Sequence, residues 1–233
     1  MAAALLDAGA QVAVTGRDTA RTAAAAHELT DRHGSRAIGI GMDVRDAGAV
    51  AAGVAEAFDV LGGVDVLGNN AGIGMRTVNP HFLTDPQPFW AVTPEGFRDL
   101  VDTNLTGYFL VAAAVVPRLL QGGGGRVVNV SMNHATMNRK GFVPYGPSRA
   151  GAEALARIMA ADLAGSTVTA NILLPGGATA TGMIPEGFPA DRLLPADVMS
   201  APIRWLCSPA AAGVHDQRIV ATGFADWLAA RTG

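Results

Sequence analysis

Tyr145 and Arg149 stand four residues apart in the run Tyr145-Gly146-Pro147-Ser148-Arg149. That spacing stacks two side chains one turn apart on the same face of a helix. Pro144 and Pro147 fit such a helix only in its first turn, where a missing N–H costs nothing, so the sequence predicts a helix starting near Tyr145. A phenol with a fixed cation beside it is an acid–base pair, because the positive charge favours the ionised oxygen. Taken alone, the two residues read better as a surface tyrosine and a solvated arginine, so the elements around them matter.

Short β-branched runs alternate with longer stretches of helical period, the pattern of an α/β, doubly wound parallel sheet covered on both faces, Rossmann-like, in one domain over residues 1–233. Strands are expected at 11–15, 37–41, 64–68, 126–131, 167–174 and 218–221, and helices at 3–8, 19–33, 47–58, 93–120, 148–163 and 196–207. Open α/β sheets bind ligands at the carboxyl ends of their strands, and the polar and small residues fall there. Asn69-Asn70-Ala71-Gly72 follows one strand, Ser131 ends another, and Pro175-Gly176-Gly177 with Thr179 and Thr181 follows a third. Small residues such as Ala71 and Gly72 let a flat ligand approach the backbone. Asn104 lies mid-helix, a poor place for an amide unless it bonds something. Two stretches rich in Gly, Pro and bulky apolar residues, 74–91 and 176–195, break the rhythm and are expected to form the substrate walls.

Composition narrows the function classes. Seventeen Lys and Arg against twenty Asp and Glu give a net charge of −3 with no basic cluster, which argues against nucleic acid or an anionic membrane as the partner. Apolar residues make up 49% and charged residues 16%, so a packed core is expected, with enough apolar surface to oligomerise. Cys207 is the only cysteine and the five histidines show no metal-ligand spacing, so no disulfide, thiolate zinc site or other dedicated metal site is expected, and a reducing, cytoplasmic setting is. Residues 1–10 lack a basic flank and break at Asp7 and Gly9, unlike a signal peptide or membrane span.

In this context the chain resembles the short-chain dehydrogenase/reductase family. The matching pieces are Asn69-Asn70-Ala71-Gly72, Asn104, Asn129-Val130-Ser131, Tyr145-x-x-x-Arg149 in place of the family's Tyr-x-x-x-Lys, and Pro175-Gly176 followed by Thr181-x-Met183. They recur in the family's order over nearly the whole chain. The resemblance implies an oxidoreductase that passes a hydride between a nicotinamide cofactor and a carbonyl or carbinol carbon, with Tyr145 as general acid or base. It further implies that Arg149 holds the nicotinamide ribose, that a hydroxyl near Ser131 orients the substrate oxygen, and that Asn104 anchors a water. Asp43-Val44 would contact adenine, Asn70, Ala71 and Gly72 the adenine ribose, and Pro175, Gly176, Thr179 and Thr181 the nicotinamide end. Asp43 reads equally as the N-cap of the helix after it. At the end of the second strand of the family fold, Gly16-Arg17 stands where an acidic residue would select NAD, which favours NADP over NAD; Arg17 also reads as a solvated turn residue paired with Asp18. The bulky residues Phe82, Phe89, Trp90 and Phe97, with Met183, Ile184, Phe188 and Leu193, suit a mostly apolar alcohol or ketone. The apolar helices suggest a homo-dimer or homo-tetramer.

Three departures set expectations for the structure. The glycine-rich phosphate turn should lie ~20 residues before Gly16-Arg17, upstream of Met1, so the family's first strand and that turn are missing and roughly 15–25 further residues are expected. Without its central strand the sheet should show two edges in its middle. Arg149, unlike Lys, cannot pass a proton along a relay. The family's orienting serine falls in register with Met132, and side chains alternate along a strand, which leaves Ser131, Asn133 or Thr136 to supply the hydroxyl or amide. Together these departures keep open a second reading, a catalytically impaired binding or scaffold subunit of the same fold. A non-redox elimination or epimerisation with a retained nucleotide is a third.

Overall fold

Asp18, Asp46 and Thr93 fix where three helices begin. Their side-chain oxygens accept the backbone N–H of Arg21 at 3.0 Å, Ala49 at 2.7 Å and Gly96 at 3.1 Å, and each satisfies a donor that a first helical turn leaves without a partner. Two of these helices stop at Gly34 and Gly62, which take the left-handed conformation (φ 65° and 74°) that ends a helix without straining a Cβ.

The computed structural model describes residues 1–34, 36–185 and 187–232. In chain order the elements are α1 (Ala2–Leu6), β1 (Val12–Gly16), α2 (Thr19–His33), β2 (Ala37–Gly41), α3 (Ala47–Leu61), β3 (Val66–Asn69), α4 (Pro94–Val101), a π-helical turn (Asp102–Thr106), α5 (Gly107–Gln121), β4 (Gly125–Val130), α6 (His134–Met137), α7 (Tyr145–Asp162), β5 (Val168–Leu174), α8 (Ser200–Leu206), β6 (Arg218–Val220) and α9 (Phe224–Thr232). The strands expected from β-branched runs are present within two residues at each end. The helix expected over 93–120 is α4 and α5 joined through the π turn. The helix expected over 148–163 starts at Tyr145, as its prolines require.

All strand pairs are parallel: Val12 lies opposite Ala37, Val66 opposite Arg126, Gly125 opposite Val168, and Ile172 opposite Arg218. The sheet is in two pieces, β1-β2 and β3-β4-β5-β6, and among the described residues no ladder joins β1 to β3. The sheet therefore has two edges in its middle, at β1 and β3. Burial follows from it. No residue of β1 is fully buried, and in β3 only Asn69 is, whereas all of β5 except Thr169 is buried.

Side-chain alternation packs the two faces. Val127, Val168 and Ala170 point toward α3, α5 and the end of α7, while Val128, Leu173 and Ile219 point toward α1, α8 and α9. The β2 strand lies so close under α2 that a Cβ on Gly39 would sit 2.4 Å from the Thr22 carbonyl oxygen. Periodicity did not show α6 or α9. The first is four residues long and the second nine, and α9 is held through Phe224 and Trp227, whose rings lie 5.8 and 5.5 Å from that of Trp205 of α8.

Candidate functional site

The π turn, a geometry that recurs at functional sites, carries Asn104, which is fully buried. Its Oδ1 accepts the Ile73 N–H at 2.9 Å, and its Nδ2 donates to the Ile73 carbonyl at 3.0 Å and to Ser148 Oγ at 3.2 Å. Ser148 in turn donates to the Tyr145 carbonyl at 2.9 Å. The amide therefore ties the loop after β3 to the first turn of α7. This answers why an amide stands mid-helix. Both amide hydrogens are spent inside the protein, so only the oxygen's second lone pair is left for a water.

Arg149 lies one turn behind Tyr145, as the spacing requires, and is buried rather than solvated. Nη1 donates to Tyr108 OH at 2.7 Å and to the Val130 carbonyl at 3.3 Å, and the Tyr108 hydroxyl donates to that same carbonyl at 3.2 Å. The guanidinium carbon sits 5.5 Å from the Tyr108 ring centre and 5.4 Å from that of Tyr145. Its Nε is buried and has no hydrogen-bond partner. Among the described residues no carboxylate pairs with this cation. Burial disfavours the charge, but the two phenol oxygens more than offset it, and the guanidinium stays protonated with its pKa raised. Burial likewise pushes the Tyr108 phenol up, only partly opposed by Arg149. Gly72 makes room: a Cβ there would lie 2.3 Å from Arg149 Nη2.

Tyr145 is half-buried at the start of α7. Its ring meets Phe142 edge-on at 6.5 Å, within a cluster formed by Met75, Phe82, Phe142 and Met132. The residue in register with the family's orienting serine is thus a thioether packed in the tyrosine's own cluster. Ser131 does not take that place. β4 ends at Val130, so alternation no longer fixes the direction of Ser131, whose hydroxyl donates to Glu153 Oε2 at 2.6 Å. Asn133 spends an amide hydrogen on the Gly176 carbonyl at 2.8 Å. Glu153 also receives Arg218 Nε at 2.6 Å and lies 3.0 Å from His134 Nε2, while Arg218 Nη2 donates to the Met132 carbonyl at 2.8 Å. Burial opposes the Glu153 charge, but bonds from Ser131, Arg218 and His134 prevail and its pKa is lowered.

The second part of the site is a cleft of about 180 Å³ across the seam between the two sheets. Thr15, Gly16 and Arg17 line it from the end of β1, Met42 to Arg45 from the end of β2, and Ala71 to Ile73 from the end of β3. Of the expected adenosine contacts, Arg17, Asp43, Val44, Ala71 and Gly72 are here. Asn70 is exposed and is not part of the wall, whereas its neighbour Asn69 is buried, bonded to Asn129 Oδ1 at 2.9 Å and to the Tyr108 carbonyl at 3.3 Å. Asp43 is not the helix cap, since Asp46 is. The Asp43 carboxylate instead takes Arg45 Nη2 at 2.7 Å and Nε at 3.0 Å, and these bonds hold its pKa down at about 2. Arg45 also reaches Asp99. Arg17 is exposed and pairs with no carboxylate among the described residues; Asp18, its suggested partner, caps α2 instead.

Pro175, Gly176, Thr179 and Thr181 follow β5 as expected. Gly176 is left-handed (φ 103°) against Thr222 and Val220, Thr179 bridges to Leu194, and Thr181 is exposed. The two long loops meet: Arg76 Nη1 donates to the carbonyls of Gly182 at 3.0 Å and Ile184 at 3.1 Å. Glu186, inside the 176–195 loop, lies outside the described residues. Of the expected wall residues, Phe82 packs inward, while Phe89 and Trp90 form an edge-on pair turned to solvent. Sequence reasoning missed Tyr108, Ser148, Glu153 and Arg218. Helical spacing held a signal for two of them. Tyr108 is four residues beyond Asn104, and Glu153 is four beyond Arg149.

The family model described as short chain dehydrogenase matches residues 1–190. Similar proteins include the 3-oxoacyl-(acyl-carrier-protein) reductase of Aquifex aeolicus, 28% identical over 172 residues, and gluconate 5-dehydrogenase of Gluconobacter oxydans, 30% identical over 223 residues. The first match covers 74% of this chain and 65% of that protein's length; the second covers 96% and 79%. A solved structure of gluconate 5-dehydrogenase from Burkholderia cenocepacia, in complex with NADP and tartrate, superposes with a TM-score of 0.80 at 28% identity, covering 97% of this chain and 89% of that one.

Proposed function

The chain belongs to the short-chain dehydrogenase family, and from that premise we propose that it interconverts a mostly apolar alcohol and its ketone using NADP(H), with Tyr145 moving the proton. The observation that carries this reading is the half-buried phenol of Tyr145 at the mouth of α7, with an uncompensated, buried guanidinium 5.4 Å from its ring.

The residues present suit a nicotinamide dinucleotide at its two ends. At one end three strand termini converge on a cleft with an unpaired cation, Arg17, at its edge. At the other, the Arg149 Nε–H is a buried donor with no acceptor, beside a glycine that leaves room for nothing larger. When bound, the nicotinamide supplies or accepts the hydride. The rest falls to the chain. Tyr145 donates its proton to the carbonyl oxygen as that oxygen gains negative charge, or removes it in the oxidation direction. Arg149 supplies fixed positive charge but cannot relay the proton, so Tyr145 recovers it through its own exposed side. Arg17, at the edge of the cleft, would meet the 2′-phosphate that distinguishes NADP from NAD. The apolar cluster of Met75, Phe82, Met132 and Phe142 excludes water and favours an apolar substrate carbon.

Tyr145→Phe tests the assignment. With NADPH and a probe set of acetophenone, cyclohexanone and acetoacetyl-CoA followed by nicotinamide absorbance, turnover should fall by about 10²-fold or more, while NADPH binding by fluorescence titration stays within a few-fold. Retained turnover would overturn the role. One observation favours a second reading, a binding or scaffold subunit: Met132, in the sequence register of the family's orienting serine, packs in the same apolar cluster as Tyr145. A melting temperature unmoved by NADPH and by NADH would decide for it. We also assign a homo-oligomer, since Phe109 of α5 and Ile158 of α7 are 52% and 57% exposed; a monomer in sedimentation at micromolar concentration would refute this.

A further inference from the structure

We propose that Tyr108 is a second, positioning tyrosine of this site, which holds the Arg149 guanidinium beside Tyr145 and makes arginine, in place of lysine, the cation the site can use. The inference rests on the reading of Tyr145 as the proton donor.

Tyr108 and Tyr145 are the only tyrosines in the chain, and Arg149 lies between their rings at 5.5 and 5.4 Å. On the Tyr108 side the cation is anchored through Nη1, which donates to Tyr108 OH at 2.7 Å and to the Val130 carbonyl at 3.3 Å. The Tyr108 hydroxyl spends its own proton on that same carbonyl, so its free lone pairs face the guanidinium. Tyr108 is itself fixed, because its backbone carbonyl accepts from Asn69 at 3.3 Å and its ring is 2% exposed.

The chemistry of the anchor matters. A carboxylate at this point would neutralise the cation. A phenol kept un-ionised by burial holds it in place and leaves its positive charge directed at Tyr145. The planar guanidinium can bond Tyr108 through one nitrogen and present the others elsewhere, which a compact ammonium on a flexible stem does less well. Hence the anchor and the arginine go together.

Two independent arms test this. In cofactor-free protein with tyrosine carbon-13-labelled at Cζ, two signals are expected, assigned by loss in Tyr108→Phe and in Tyr145→Phe. Arg149→Lys should displace the Tyr108 signal, and Tyr108→Phe should displace that of Tyr145. An unmoved Tyr108 signal in Arg149→Lys would overturn the contact. In turnover of NADPH with acetophenone, Tyr108→Phe should lower kcat about tenfold, as loss of a hydrogen bond to a charged group does, with the KM for the ketone within twofold. In an Arg149→Lys background the same change should cost less than twofold. Equal losses in both backgrounds would mean that Tyr108 only packs, and would overturn the proposal. If Tyr145→Phe keeps its turnover, the proton-donor reading fails, and the labelled-tyrosine arm still decides whether Tyr108 holds Arg149.

Discussion

Gly72→Ala is the most direct test of how tightly the site is built. An alanine Cβ would lie 2.3 Å from Arg149 Nη2, 2.9 Å from Asn104 Oδ1 and 3.3 Å from Arg149 Cζ. Comfortable contact between heavy atoms begins near ~3.5 Å, so the guanidinium would have to retreat by about 1 Å. It has little room to do so, since Nη1 is bonded on its far side to Tyr108 and Val130. Asn104 is held equally firmly, by Ile73 and Ser148. The Gly72 backbone is not left-handed, so the substitution tests crowding and not strain in φ. Overpacking of this kind costs about 1–3 kcal/mol, and for a chain of this length each kcal/mol lowers Tm by about 2–4 °C, giving a fall of roughly 2–12 °C. Displacing a positioned group by about 1 Å also costs about 10²-fold in turnover. Thermal unfolding followed by circular dichroism, with turnover of NADPH and acetophenone alongside, reads both effects. Gly68→Ala is the control, because nothing lies within 4 Å of its added Cβ. If Gly72→Ala matched Gly68→Ala in both melting and turnover, Arg149 would not be fixed against residue 72 and the site geometry would be wrong.

Three further outcomes follow from the same contacts. Arg17→Glu should weaken NADPH binding by about tenfold or more and spare NADH, measured by fluorescence titration; equal loss for both would remove Arg17 from the 2′-phosphate position. Asp43 is held at about 2, below its ordinary 3.8, chiefly by hydrogen bonds from Arg45. A depressed carboxylate stabilises the fold above its unfolded pKa and loses that contribution as pH falls through the folded one. Wild type should therefore be more stable than Asp43→Asn above about pH 4, with the difference shrinking between about pH 4 and 2 and vanishing only below about pH 2 in acid-dependent urea unfolding. Because this pair is partly solvated, the gap should also shrink in high salt. Asp46→Ala should lower stability by about 1 kcal/mol through loss of the α3 cap, whereas an unchanged Tm would show that water replaces the carboxylate there.

Strands were legible because parallel strands covered on both faces read as β-branched runs bounded by turns, and Val127-Val128 or Ile172-Leu173-Leu174 carry that pattern whatever surrounds them. The Tyr145–Arg149 pairing was legible for a similar reason, since helical geometry alone sets it. What the residues do was less so. Asp43 and Asp46 both precede α3, and which one caps it depends on the helix start to within one residue. Ser131 and Met132 lie just past the end of β4 at Val130, where alternation no longer fixes direction, so the sequence could not choose among Ser131, Asn133 and Thr136. Tyr108 reads in a sequence as one more large residue on an apolar helix. Its function lies in a hydroxyl whose two partners, at 130 and 149, are remote in the chain.

The seam between the sheets joins these observations. Arg17, Asp43 and the residues beside them belong to the β1-β2 piece, whereas Tyr145, Arg149 and Gly176 belong to β3-β4-β5-β6 and the helices on it. Among the described residues no backbone ladder connects the two. They are coupled instead by α3, which packs through Val50 and Val54 onto Met42 of one side and onto Val111 and Val115 of the other, and by Gly72 and Ile73, which reach the cleft from β3. A ligand spanning the proposed site touches both pieces at once. Contacts to both pieces add to its affinity, so at equal free concentration the rise in Tm with NADPH should exceed that with adenosine 2′,5′-bisphosphate, because the smaller ligand fills only the cleft end. Equal rises would mean that the nicotinamide half adds no net affinity, and that the ligand does not bridge the two pieces.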